Sequence, residues 1–173
     1  SPVAYAELSQ VLADIGPQAL LLILDQIQHP KNLGMILRTA AAAGVDAVLI
    51  TAKGGARIDD SVIRASAGLA LKVPVVLSRD LVTDFRILRD QDFWIYGLDA
   101  AGNQEVFQTS WPRRTALVVG NETGGLAHKT RKHCDALVRI PLAQGVESLN
   151  AAVATGIAAF QVRACFSGGN DNA

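Results

Sequence analysis

Three short segments of this chain contain residues whose types and spacing could support chemistry. They are Asn32, Leu33 and Gly34 with Arg38; the run Gly120 to Gly125, which includes Glu122; and Ile140 with Ser148, Leu149 and Asn150. An arginine can stabilise a developing negative charge, a carboxylate can accept a proton, and asparagines can orient a hydroxyl. Each segment stands at or after the end of an apolar run, which indicates a single shared site.

The elements that must position these segments alternate between strand and helix patterns. The unbroken apolar run Leu20 to Leu24 is typical of a parallel strand covered on both faces. We predict strands at 20–24, 47–50, 73–77, 93–98, 115–119 and 137–140, and helices at 33–44, 59–71, 81–90, 126–134 and 149–160. The pattern predicts an α/β fold, a mostly parallel six-stranded sheet with helices on both faces. Ligands of such sheets bind at the carboxyl ends of the strands.

The last predicted helix is apolar almost all round, which predicts that it is buried. Ser148 is well suited to cap its first turn. Asn150 falls just inside the helix and needs partners that a cap does not supply, so a role in the site is favoured.

Composition limits the classes of protein. The 173 residues have a formal net charge of zero and are half hydrophobic. We expect one catalytic domain over 19–166, after a lead-in or linker at 1–18 and before a flexible tail at 167–173. The absence of a membrane span or secretory signal predicts a cytoplasmic protein. The two cysteines lack metal-site spacing, which predicts free buried thiols and no metal.

Common nucleotide and hydrolase motifs are excluded. The glycines after the fifth strand do not form G-x-G-x-x-G. Gly120 and Gly125 have P-loop spacing, but Leu126 and Ala127 stand where lysine and serine or threonine are required. No G-x-S-x-G nucleophile motif is present.

Together the three segments resemble the three motifs of the SpoU/TrmH RNA 2′-O-ribose methyltransferases of the SPOUT superfamily. The matching residues are Asn32, Leu33, Gly34, Arg38 and Thr39; Gly120, Asn121, Glu122, Gly124, Gly125 and Leu126; and Ile140, Pro141, Ser148, Leu149 and Asn150. Order and spacing agree over about residues 20 to 160. The chain looks most similar to enzymes that methylate a guanosine ribose in 23S ribosomal RNA. One departure is Asn121, where a small residue often stands, and we expect it to have little effect.

The resemblance implies a C-terminal deep trefoil knot and a homodimer, neither of which the residue pattern reveals. It also implies S-adenosylmethionine as cofactor, held largely through backbone groups. By position the cofactor-binding residues are Leu98, Gly120, Ile140 and Leu149.

The resemblance implies catalytic roles for Arg38, Glu122, Asn32, Asn150 and Ser148, which we weigh against ordinary structural roles. Arg38 lies one turn after Gly34, whose missing Cβ leaves space for the guanidinium; because arginine stays protonated, we expect it to stabilise the developing alkoxide. Glu122 accepts the proton or merely holds the helix start, and these two interpretations are equally supported. For Asn32 and Ser148, capping a helix explains the residue type better than catalysis does.

RNA is the expected partner, ribosomal rather than transfer RNA, although a neutral domain lacks the usual basic footprint. Local cations are Arg113, Arg114, Lys129, Arg131, Lys132 and His133, which could hold phosphates or face solvent. Three alternatives remain open: a tRNA 2′-O-methyltransferase, a base methyltransferase, and a non-catalytic SPOUT-like module that binds cofactor or RNA.

Overall fold

The computed structural model describes residues 3–168, in which strands and helices alternate. The strands are β1 (Ala19–Leu24), β2 (Ala47–Thr51), β3 (Val75–Ser78), β4 (Trp94–Leu98), β5 (Gln104–Glu105), β6 (Arg114–Val119) and β7 (Ala136–Arg139). The helices are α1 (Leu8–Asp14), α2 (Pro30–Ala43), α3 (Asp60–Ala65), α4 (Leu81–Asp90), α5 (His128–His133) and α6 (Ala151–Gly168). Short 3₁₀ turns cover Leu69–Leu71 and Val106–Gln108.

All seven strands are parallel to their neighbours, in the order β3-β2-β1-β6-β4-β7-β5. The prediction of a parallel sheet is confirmed, but the predicted count of six strands is wrong. The missed strand, β5, has two polar residues at the sheet edge, where Arg139 donates to Gly102 O and pairs with Glu105. A strand that short has no hydrophobic period to detect.

Helices cover both faces of the sheet, as predicted. Because successive side chains of a strand point to opposite faces, those of β1 contribute to two separate cores. Leu20, Leu22 and Leu24 pack with α2, α3 and α6, whereas Leu21 and Ile23 pack with α1 and α4. Since every residue of β1 is buried, the strand and the polar residues that follow it lie at the centre of the molecule.

Several predicted helix bounds are wrong, and α2 begins at Pro30 rather than at Leu33. The helix predicted over 59–71 ends at Ala65, because Ala67 and Gly68 adopt positive φ of 55° and 82°. The last helix begins at Ala151 rather than at Leu149.

Residues 3–18 of the predicted lead-in pack against the rest of the fold. The Ala6 N–H donates to Val75 O at 2.8 Å, and Leu8 and Val11 of α1 are buried. At the other end, α6 continues to Gly168, so the predicted tail begins inside it, and residues 1–2 and 169–173 lie outside the described part.

The prediction that α6 is buried is only half correct. Ala152, Thr155, Ala158, Ala159 and Val162 face the protein core, but Val153 and Phe160 are 47% and 48% exposed. Cys134 is half-buried and Cys165 exposed, and both are free thiols. Within residues 3–168, no helix is both long enough and apolar enough to cross a membrane.

Candidate active site

A cavity of about 370 Å³ opens at the carboxyl ends of β6, β4 and β7, three neighbouring strands of the sheet. Its lining includes Leu98, Gly120, Ile140 and Leu149, the four residues that the resemblance assigns to the cofactor. Val119, Val138 and Leu142 add apolar wall. The structure therefore brings residues from four separate segments to one pocket with apolar walls, and their role in binding remains a prediction.

Gly120 shows that close backbone packing shapes this cavity. A Cβ at Gly120 would lie 2.2 Å from Gly125 C and from Leu126 N, so no side chain fits without moving the main chain. The loop it faces is closed by reciprocal hydrogen bonds between the backbones of Asn121 and Gly125, both 2.9 Å. This narrow cradle of backbone groups suits a ligand that is held by main-chain contacts.

Asn121 organises the same loop, contrary to the small effect expected of it. Its Oδ1 accepts from the N–H groups of Thr123 and Gly124 at 2.9 and 3.0 Å. Its Nδ2 donates to Gln26 O at 2.7 Å, across to the segment that follows β1. The side chain thus joins the second sequence motif to the first.

Glu122 forms further hydrogen bonds between the second motif and the segment around the first motif. Its carboxylate accepts from the backbone N–H groups of Gln28 (3.0 Å) and His29 (2.9 Å), and from Asn32 Nδ2 (3.5 Å). Partial burial raises the pKa of Glu122, but the hydrogen bonds from the backbone and from Asn32 outweigh it and hold the pKa below the ordinary value of 4.5. A carboxylate this well supplied with donors is a weak proton acceptor, so the geometry favours the structural role of Glu122 over the role of base.

Asn32 and Asn150 extend this network to the third motif. Asn150 Nδ2 donates to Asn32 Oδ1 at 3.0 Å, while Asn150 Oδ1 accepts from the N–H groups of Ala152 (2.8 Å) and Val153 (3.2 Å). Asn150 is therefore the cap of α6 and also a link to α2, which corrects its predicted place inside the helix. Asn32 lies in the first turn of α2, whose cap position is His29, so capping does not explain Asn32.

Ser148 does not cap α6, because the helix starts three residues later, and the serine instead lines the cavity. Arg38 is exposed on α2 and lies outside the set of residues that line the cavity.

Contrary to expectation, the missing Cβ of Gly34 does not leave space for the guanidinium of Arg38. A Cβ on Gly34 would lie 2.5 Å from Ala65 Cβ and 2.7 Å from Val62 O, so this glycine lets α3 pack closely on α2.

Three charged residues of the site were not among the predicted site residues. Asp99 and Arg131 line the cavity and form an ion pair at 3.4 Å. Asp25 is buried at the end of β1, and its Oδ2 accepts from the Ala127 N–H at 3.0 Å, which fixes the start of α5. Two of them had a sequence signal: Asp25 is a carboxylate directly after a fully apolar strand, and Arg131 belongs to the basic cluster after the Glu122 segment.

The predicted basic clusters separate in the structure. Lys129, Arg131 and Lys132 lie on α5 beside the cavity, whereas Arg113 precedes β6 and Arg114 begins it, at the opposite, amino-terminal edge of the sheet. Arg114 donates to Gln91 O and Gly16 O, both at 2.9 Å, so it serves the fold at that edge. His29 and His128 are exposed and His133 is half-buried.

The fold and the site together define an α/β protein of the SPOUT type. The profile described as the SpoU rRNA Methylase family matches residues 19–160. The chain therefore belongs to that family, which confirms the resemblance seen in the three motifs.

Individual relatives agree with this assignment. The chain is 43% identical over 155 residues to the 23S rRNA (guanosine-2′-O-)-methyltransferase RlmB of Xylella fastidiosa (strain 9a5c), covering 90% of this chain and 62% of that protein. It thus spans about three fifths of the curated relative's length.

Solved structures give the same picture. The SpoU methyltransferase AviRb from Streptomyces viridochromogenes, in complex with AdoMet, superposes with a TM-score of 0.85 at 28% identity, covering 95% of this chain and 66% of AviRb. A protein whose structure is described as giving insights into 2-OH methylation of C/U34 on tRNA superposes with a TM-score of 0.79 at 27% identity. That match covers 88% of this chain and 99% of the other.

Proposed function

We propose that this chain transfers a methyl group from S-adenosylmethionine to a ribose 2′-hydroxyl of ribosomal RNA, at a guanosine of 23S RNA. One observation carries the proposal. The cavity lined by Leu98, Gly120, Ile140 and Leu149 is also lined by Glu122, which accepts a hydrogen bond from Asn32 on α2, the helix that bears Arg38. Asn32 in turn accepts from Asn150 at the start of α6. The names of the relatives, a guanosine-2′-O-methyltransferase and an AdoMet-bound SpoU enzyme, support the substrate and the cofactor.

The residues present fit S-adenosylmethionine. The backbone cradle at Gly120 and the apolar walls at Ile140 and Leu149 would hold the adenine and ribose, with Leu98 contributing main-chain groups. When bound, this cofactor would supply a methyl group from its sulfonium: the S–CH3 bond breaks as the bond to the ribose 2′ oxygen forms, S-adenosylhomocysteine leaves, and the hydroxyl proton passes to solvent water. The cavity carries two carboxylates, Asp99 and Glu122, and one guanidinium, Arg131. This excess of negative charge is compatible with a cationic sulfonium.

Arg38 stabilises the negative charge that develops on the 2′ oxygen, or the phosphate beside it. It is exposed and forms no ion pair within residues 3–168, so its guanidinium is available to a substrate. Glu122, already accepting bonds from Gln28, His29 and Asn32, holds the substrate side of the site in shape. Ser148 and Asn150 would contact the ribose from the start of α6.

Ribosomal RNA is favoured over transfer RNA because the relatives with higher identity are named for 23S rRNA. The tRNA alternative rests on a specific observation: the tRNA-directed structure is matched over 99% of its length, so a chain of this size suffices for that function. Lys129 and Lys132 on α5 would hold phosphates in either case.

We also propose a homodimer formed through α6. One face of α6 packs on α2. The other face exposes two large apolar side chains, Val153 and Phe160. Covering these side chains with a second copy would remove apolar surface from water. The trefoil knot implied by the family likewise remains a prediction.

The test is methyl transfer from labelled S-adenosylmethionine to 23S ribosomal RNA and to total transfer RNA, followed by nucleoside analysis. We expect 2′-O-methylguanosine in the ribosomal RNA. A substrate with a 2′-deoxy target nucleotide should take up no label, because it lacks the acceptor oxygen; label at that nucleotide would identify a base methyltransferase. Cofactor binding without transfer to either RNA would identify a non-catalytic module.

A further inference from the structure

The zero net charge hides an uneven use of charges at the carboxyl edge of the sheet. Three carboxylates there are engaged within the protein: Asp25 with Ala127 N–H, Asp99 with Arg131, and Glu122 with the segment after β1, whereas Asp60 and Glu147 are exposed. The lysines at the same edge, Lys31, Lys53, Lys129 and Lys132, are exposed and form no ion pair in the described part of the chain. Four exposed lysines are therefore available at this edge to a negatively charged ligand.

One of these cations stands on a preformed loop that the proposed function does not use. The loop, residues 52–57, follows β2, and we call it the Lys53 loop. Gly54 has φ +76°, and a Cβ there would lie 2.7 Å from Gln26 Oε1, while a Cβ on Gly55 would lie 2.7 Å from Thr51 O. Both glycines are thus required by the shape of the turn.

Arg57 braces this loop from inside. Its guanidinium donates to Thr51 O at 3.3 Å, to Gly55 O at 3.2 Å, and to Ala52 O. A planar fork of donors can hold three carbonyls at once, which a lysine ammonium on a flexible stem reproduces poorly. Because Arg57 satisfies these carbonyls, the loop keeps its turn, with Lys53 exposed at the tip.

The loop also offers backbone donors. The N–H groups of Lys53, Gly54 and Gly55 donate no hydrogen bond within residues 3–168, whereas Ala56 N–H, just after them, donates to Ile27 O at 2.7 Å. Consecutive backbone N–H groups in a tight turn are a common anion-binding arrangement. Lys53 and its loop thus combine a free ammonium with unpaired amide donors.

The position of the loop relates it to the candidate active site. Ile27, which it contacts, directly precedes Gln28 and His29, the two residues held by Glu122. In the sheet order β2 is two strands from β6, a distance of about 10 Å. The loop therefore flanks the Glu122 end of the site, on the side away from the cavity and α5.

We propose that the Lys53 loop binds a backbone phosphate of the RNA strand, next to the target nucleotide. The RNA then lies across the carboxyl edge of the sheet, held on one side by the lysines of α5 and on the other by Lys53 and its loop amides. This inference rests on the proposed function for the identity of the ligand. Arg57 is a positioning residue that acts through the shape of the loop.

The first experiment compares Lys53→Ala with Lys72→Ala, an exposed lysine just before β3 at the opposite edge. Affinity for a 23S RNA fragment is measured by fluorescence anisotropy over a salt series, and KM and kcat by methyl transfer. We expect Lys53→Ala to bind RNA roughly threefold to fivefold more weakly, the scale of one exposed ion pair. Its salt slope should fall by about 0.7 to 1. KM for RNA should rise with kcat unchanged, and Lys72→Ala should match the wild type.

The second experiment separates loop shape from charge. Arg57→Lys keeps the charge but loses the planar fork, so we expect weaker RNA binding, whereas Lys53→Arg should keep wild-type affinity. Circular dichroism and cofactor calorimetry confirm that each variant is folded. Wild-type RNA affinity in Arg57→Lys would overturn the claim that the shape of the loop holds the phosphate.

The outcomes separate this proposal from the proposed function. If the wild type methylates RNA and Lys53→Ala retains its KM and salt slope, the phosphate site is overturned and the enzyme assignment stands. If the wild type transfers no methyl group but Lys53→Ala still lowers RNA affinity, the phosphate site stands and the enzyme assignment falls. If the wild type binds no RNA, both fall.

Discussion

Replacing Glu122 with glutamine should destabilise the protein, although the side chain is only partly buried and the substitution is almost isosteric. The carboxylate accepts from the backbone N–H groups of Gln28 and His29, and from Asn32. A glutamine keeps one acceptor oxygen but turns an NH₂ group toward at least one of these donors. The backbone N–H of Gln28 or His29 then loses its charged acceptor.

The magnitude follows from these bonds. A hydrogen bond to a charged group contributes about 1.5 to 3 kcal/mol, and one backbone N–H loses such a bond. Because Glu122 is partly exposed, hydrogen bonds with water compensate for part of the lost bond. We therefore expect the free energy of unfolding to fall by about 2 kcal/mol. For a domain of this size that corresponds to a decrease in Tm of about 4 to 8 °C.

The assay is urea or thermal unfolding of Glu122→Gln beside Glu147→Gln, an exposed glutamate in the loop before α6. The pH dependence adds a second readout. Since the pKa of Glu122 is lowered in the folded state, its stabilisation is complete above the ordinary value of 4.5 and is lost as the pH falls through the lowered folded pKa. The difference between wild type and variant should therefore shrink below about pH 4.5. A variant as stable as Glu147→Gln at pH 7 would refute the structural role of Glu122.

Three further predictions concern the cofactor, catalysis and assembly. Gly120→Val should abolish binding of S-adenosylmethionine in calorimetry, because its Cβ would lie 2.2 Å from backbone atoms, whereas Gly16→Ala, with nothing within 4 Å of its Cβ, should bind normally. Arg38→Ala should lower kcat on the order of a hundredfold with cofactor affinity unchanged, and turnover near wild type would contradict its role. Phe160→Asp should convert a dimer into a monomer by light scattering, while Ile87→Asp on α4 should leave the dimer intact; a wild-type monomer at micromolar concentration would rule out the dimer.

The sequence by itself determined the class of fold and the wall of the cavity. The apolar run Leu20 to Leu24 could only be a strand covered on both faces, and its burial is complete. The resemblance assigned Leu98, Gly120 and Ile140 to the cofactor. These residues lie at the carboxyl ends of the parallel strands β4, β6 and β7, which meet at one edge of the sheet, and the structure brings them to one cavity. Periodicity and strand direction are local properties, which explains why they can be read from the chain.

The tertiary structure alone decided what each polar side chain does. Ser148 and Asn150 are equally good caps by type, and only the true start of α6 at Ala151 selects Asn150. Glu122 and Asn32, which form a hydrogen bond with each other, are 90 positions apart in the sequence. Asn32 and Asn150, which also form a hydrogen bond, are 118 positions apart. Gly34 likewise serves α3 rather than Arg38. Hydrogen bonds and close packing of this kind depend on distances between segments remote in the chain, and no local pattern records those distances.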